Sequence, residues 1–266
     1  MDRHSRKRIA VFIAVTITLA AVAIFALVEG LGRENESPPH RPRALYYDSL
    51  SREYPDPELR SEIVRLLESH GYEVDVYVNE SAGLEQLRNL GEYDLVILRA
   101  HGAYNGDPRS GRPLGSYVYT GLLYSEAVEK YGKQTVDGML RRGDLALAVI
   151  PPPGYRGDYR DLPQYIAASP QFFDEHIHAM RKGSIVIFTG CYGLDDTRLA
   201  SIFVSRGSAA FIGWKGNVTQ SVSDAALEAY VKALLQTGDP SQALQEIPRD
   251  LRTDPYTGAS LEVYRG

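Results

Sequence analysis

Two residues of this 266-residue chain pair a reactive side chain with a place where chemistry is usually done: His101 and Cys191. His101 closes the apolar run DLVILRA and is followed by Gly102. Cys191 follows the apolar run SIVIFT and Gly190. Both runs read as buried strands. In parallel sheets, ligands sit beyond the carboxyl ends of the strands. If the two strands are parallel neighbours, both side chains project from one edge. A thiol within reach of an imidazole is the nucleophile–base pair of acyl transfer: the histidine takes the proton and the thiolate attacks a carbonyl carbon. The flanking glycines let a substrate backbone approach, and the amides of Gly102 and Cys191 are placed to stabilise an oxyanion.

Each residue alone has a plainer reading. A strand-end cysteine is commonly a small buried hydrophobe, and a histidine there a hydrogen-bonded loop residue. It is the conjunction of both, each beside glycine, that selects the catalytic reading. Other clusters carry less. Asp174, Glu175, His176 and His178 resemble metal ligands, but positions two apart do not share a helical face, so a solvated surface is expected and no metal. GAYNG and GYRG lack the lysine and helix start of a phosphate loop, so no cofactor is expected. Asn35, Asn79 and Asn217 each open a glycosylation sequon.

The elements that must position the pair alternate in period. Residues 44–47 read as a short strand. Asp56-Pro57 is a cap followed by proline, and Leu59, Ile63, Leu66 and Leu67 then mark one helical face up to Gly71. Tyr72, Val74, Val76 and Val78 alternate as a strand. A short helix over 84–90 leads to the strand 94–100. Residues 102–143 are rich in Gly and Tyr, with a hairpin expected at 117–123. A strand follows at 145–150, then loop over 154–169. Helices at 170–181, 197–206 and 221–237 alternate with strands at 184–189 and 209–214. Repeated strand–helix–strand units predict an α/β fold with a mainly parallel sheet of about six strands and helices on both faces.

The ordered His-Gly and Gly-Cys strand ends resemble the caspase/gingipain/separase/clostripain superfamily (clan CD cysteine peptidases). The stretch LASIFVSRGSAAFIGWKGNV, with the helix and GDPSQALQEI after it, is similar to the segment following the cysteine in the CHAT and gingipain-like branches. The similarity spans about residues 44–248. It implies a caspase-like fold, Cys191 as nucleophile, His101 as its partner, and a polypeptide substrate commonly cut after a charged residue. Many members carry an acidic or amide residue two places before the cysteine, lining the specificity pocket. This chain has Thr189 there. Asp195, Asp196 and Asp224 are candidate pocket acids, and Trp214 is a further candidate substrate contact. Asp195 and Asp196 read equally well as helix caps. A non-catalytic relative that kept the fold is the main rival. Amidotransferase-like and other α/β hydrolases place histidine after the nucleophile, and no histidine follows His178.

Residues 9–28 carry no charge, about the length that spans a bilayer as a helix. Arg3, Arg6, Lys7 and Arg8 precede them and charges of both signs follow, so the N-terminus is expected in the cytoplasm and the rest outside. A cleaved signal peptide is the rival, but the run is long and Ala-Leu-Val-Glu-Gly is a poor cleavage site. The expected organisation is a basic tail at 1–8, a signal anchor at 9–29, a proline-bearing linker at 30–43, and one domain over 44–266. The net charge of −5 is dispersed, which argues against a nucleic-acid partner. A single cysteine excludes an intramolecular disulfide.

Overall fold

The computed structural model describes residues 41–106, 113–152 and 154–266. The segment read as membrane-spanning, 9–28, lies outside the described residues. Among the described residues no helix is long and apolar enough to cross a membrane.

The described residues begin with strand β1 (Arg43–Asp48), a 3₁₀ turn at Leu50–Arg52 and helix α1 (Pro57–Ser69). Asp56 caps α1 by accepting from the Leu59 amide at 2.9 Å, and Pro57 is its first residue. Then come β2 (Glu73–Val78), α2 (Leu84–Arg88), β3 (Leu95–Arg99), β4 (Gly102–Gly106) and β5 (Pro113–Leu123). Helices α3 (Tyr124–Tyr131) and α4 (Lys133–Arg142) lead to β6 (Leu145–Ala148), β7 (Tyr165–Ala168) and α5 (Pro170–His176). The last part runs β8 (Ile185–Phe188), α6 (Arg198–Ser205), β9 (Ala210–Lys215), α7 (Gln220–Thr237), α8 (Pro240–Glu246), α9 (Arg249–Arg252) and β10 (Ser260–Tyr264).

The architecture is α/β. A six-stranded sheet has the order β10-β9-β8-β3-β1-β2. All its pairings are parallel except β10 on β9. Alternation along the strands divides the core. Leu45, Tyr47, Val96, Leu98, Val186 and Phe188 face a cluster completed by Leu87, Phe173, Leu199 and Phe203 from α2, α5 and α6. Tyr46, Ile97, Ile187 and Ile212 face Leu59, Ile63 and Leu67 of α1 and Leu227, Tyr230 and Leu234 of α7. Helices therefore cover both faces, and burying each leucine or valine side chain contributes about 1.5–3 kcal/mol. From β1 the chain crosses to β2 on one side and then to β3 on the other, a switch point whose crevice opens at the carboxyl ends of β1 and β3.

A second sheet was not expected. Strands β4-β5-β7-β6 pair antiparallel throughout. The expected hairpin at 117–123 is instead one long strand, β5, paired with β4 on one side and β7 on the other. Part of the expected loop at 154–169 is β7. The Gly/Tyr-rich stretch holds two helices, α3 and α4. The chain passes from β3 straight into β4 through Ala100 and His101, so His101 sits where the two sheets join.

Candidate active site

The pairing of β3 with β8 sets Leu95 against Ile185 and Leu98 against Phe188. Past the strand ends Gly190 stays beside Ala100, and Gly102, next to His101, lies against Cys191. The backbones stay close there. A Cβ on Gly102 would stand 2.1 Å from the Cys191 carbonyl oxygen, and one on Gly190 would stand 2.7 Å from the Ala100 carbonyl oxygen. Neither distance is tolerable for a real side chain, so both positions need glycine. The Gly102 and Cys191 backbones, read from the sequence as oxyanion donors, are thus in contact.

The two side chains make different contacts. The Cys191 thiol donates to Asn217 Oδ1 at 3.0 Å and approaches the Val218 carbonyl at 3.7 Å. Burial pushes the thiol up, and the charges of Asp254 and Asp195 add to the effect. The His101 ring lies between Tyr54 and Tyr119, with centroids 6.0 and 5.7 Å away. Burial and the nearby Arg99 guanidinium push His101 down to about 4. Both groups are therefore neutral at pH 7 in this arrangement. His101 Nε2 is buried without a hydrogen-bond partner among the described residues.

Beneath His101 lies a charge cluster. Arg99 is fully buried on β3. It donates to Asp48 at 2.9 Å, to both carboxylate oxygens of Asp224 at 2.8 Å, and to the Tyr54 carbonyl at 2.9 Å. Burial works against its charge, but Asp224 and Asp48 outweigh it and keep the guanidinium protonated. Beyond Cys191 the chain turns sharply. Tyr192 has φ of 61°, a left-handed conformation uncommon outside glycine, and its carbonyl accepts from the Ser116 hydroxyl of β5.

A cleft of about 970 Å³ opens between α1 and the start of α7; it shares Glu53, Tyr54 and Arg99 with the surroundings of His101, while neither His101 nor Cys191 is among its lining residues. Among the described residues Glu53, Asp56, Glu58, Glu62, Asp224 and Glu228 line it, with Arg99 as the one lining cation. Arg99 is matched within the wall by Asp48 and Asp224, Glu62 is paired with Arg65, and Glu228 with Lys232, so Glu53, Asp56 and Glu58 are the carboxylates that give the cleft its acidic character.

Of the candidate substrate contacts, only Asp224 lines this cleft, and there it holds Arg99. Thr189 is buried against the Leu98 carbonyl. Trp214 is buried and donates to Ser223 at 3.1 Å. Asp195 accepts from the Gly216 amide at 2.6 Å, and Asp196 from the Arg198 amide at 3.0 Å, both serving loops. Two residues at the site were missed. Asn217, read only as a sequon, follows β9, and Glu53 follows β1 and its 3₁₀ turn. The rule that singled out His101 and Cys191, that reactive groups lie beyond strand ends, points to both when applied to β1 and β9 as well.

Among known protein families no model matches this chain, and no curated protein matches it either.

Proposed function

We propose that the chain is a caspase-like (clan CD) cysteine peptidase, anchored to a membrane through residues 9–28, with the catalytic domain on the outer side. What supports the reading is that His101 and Cys191 follow the carboxyl ends of neighbouring parallel strands, with the Gly102 and Cys191 backbones in contact. A peptide lying across this edge meets sulfur and imidazole together. The Cys191 proton passes to His101 as sulfur bonds to the carbonyl carbon, and the amides of Gly102 and Cys191 hold the oxyanion. His101 returns the proton to the leaving amine as the C–N bond breaks. Water then releases the acyl group from sulfur, with His101 acting as base. No cofactor takes part. The acidic cleft, which shares Glu53 with the surroundings of His101, favours substrates with a basic side chain.

A second reading has its own support. The thiol donates to Asn217, and His101 Nε2 has no partner, as in a relative that binds polypeptides without cutting them. Incubation of the full-length, detergent-solubilised protein with a peptide library, read by mass spectrometry, separates the two. The peptidase reading expects cleavage next to Lys or Arg that disappears in Cys191→Ala and in His101→Ala. Binding without cleavage would establish the second reading.

A further inference from the structure

We infer that Glu53 is the carboxylate that positions His101, turning its ring toward Cys191 and balancing the charge it acquires during the reaction. The inference rests on the peptidase reading for its consequence, but on separate geometry for its content. Glu53 Oε2 lies 3.9 Å from His101 Nε2. Both atoms are buried, and neither has a hydrogen-bond partner among the described residues. Two adjacent buried polar atoms that complement each other and lack other partners form an incomplete hydrogen bond. Catalytic hydrogen bonds are often long before substrate is bound.

The rest of Glu53 is held so as to present that oxygen. Its Oε1 accepts from the Tyr165 hydroxyl of β7. Its amide donates to the Leu50 carbonyl at 3.2 Å, across the 3₁₀ turn. The next residue, Tyr54, has its carbonyl fixed by Arg99 and its ring edge-on to His101. The carboxylate is thus tied to β7, and its backbone is held by the 3₁₀ turn after β1 and, through Tyr54, by Arg99 of the strand that carries the histidine. With Nε2 turned to Glu53, Nδ1 is the nitrogen left for the thiol.

An imidazolium here needs a counter-charge. The groups placed around it are Arg99 from its own strand, Glu53 and Tyr54 from the β1–α1 connection, and Tyr119 from β5. Arg99 opposes the charge, and Asp48 and Asp224 are committed to Arg99. Glu53 is the carboxylate with an uncommitted oxygen.

The test compares full-length wild type with Glu53→Gln and Glu53→Asp. Glutamine keeps an oxygen to accept from Tyr165 but removes the charge. Two readouts are used: kcat and KM on the best library peptide, and the His101 titration followed by NMR on ring-labelled histidine, assigned with His101→Asn. The expected result is a kcat lowered about ten-fold or more in Glu53→Gln with KM little changed, and a His101 midpoint lowered by about a unit. Glu53→Asp should recover part of both. An unmoved His101 midpoint, or wild-type kcat in Glu53→Gln, overturns the inference while leaving the peptidase reading intact. If wild type cleaves no peptide, the peptidase reading fails on its own account, and the His101 midpoint alone decides the role of Glu53.

Discussion

The strand ends that carry His101 and Cys191 lie side by side but are held by opposite means. Below His101 the chain is fixed by charge: Arg99, wholly buried, is gripped by Asp48, Asp224 and the Tyr54 carbonyl. Around Cys191 it is fixed by backbone: two glycines in tight contact, a left-handed Tyr192 anchored by Ser116, and a thiol bonded to Asn217. At the charged end the base is kept neutral by burial first and by Arg99 second. The backbone end sets the position of the nucleophile and leaves its side chain on neutral acceptors, Asn217 Oδ1 and the more distant Val218 carbonyl. Strain stored next to a reactive residue is a common companion of function.

The sharpest way to break the contrast is at Arg99. Arg99→Leu leaves Asp48 buried without its cation, so a loss of about 3–5 kcal/mol in a urea titration is expected. An equal loss from Cys191→Ala would contradict the division of labour.

The pH dependence of stability comes next. His101 is pushed from 6.5 to about 4 in the folded state, so the unfolded chain binds its proton more readily. Stability contributed by the neutral ring is complete above about pH 6.5 and is lost as pH falls toward 4, by roughly 2–3 kcal/mol. His176, also lowered by burial, acts in the same sense. Unfolding at a series of pH values should show a slope that flattens in His101→Asn.

Gly102→Ala tests the backbone end. Its Cβ would meet the Cys191 carbonyl, so a destabilisation of about 1–3 kcal/mol is expected, with slower alkylation of Cys191 by iodoacetamide. The smallest effect is expected at Asn217. Asn217→Ala removes the acceptor of the thiol proton, costing about 1 kcal/mol or less, and Cys191 should alkylate faster at pH 8.

Local signals made the main sheet legible. The Asp56-Pro57 cap and the apolar face of α1 are written within a few residues, and the strands ending before His101 and Cys191 are unbroken apolar runs. Of the second sheet only β6 was legible, as the strand expected at 145–150, because β4, β5 and β7 carry no such run. Strand β5 mixes Gly115, Ser116, Thr120 and Gly121 with its tyrosines, and β7 is only the segment YIAA. Their pairing joins residues far apart in the chain, which no local period reports. Strand β10 did carry a signal, since Leu261 and Val263 alternate with Glu262. The site was legible in its two reactive residues and not in their neighbours. Glu53 reaches His101 only because a 3₁₀ turn follows β1, and the order of strands alone brings Asn217 beside Cys191.

The most direct test of the central claim is covalent labelling of Cys191 by a peptide carrying a basic residue and an acyloxymethyl ketone, mapped by mass spectrometry in the full-length protein. The account predicts labelling of Cys191 in wild type, competition by Lys- and Arg-containing peptides, and loss of labelling in His101→Ala. Equal labelling with and without His101, or none in wild type, would contradict it.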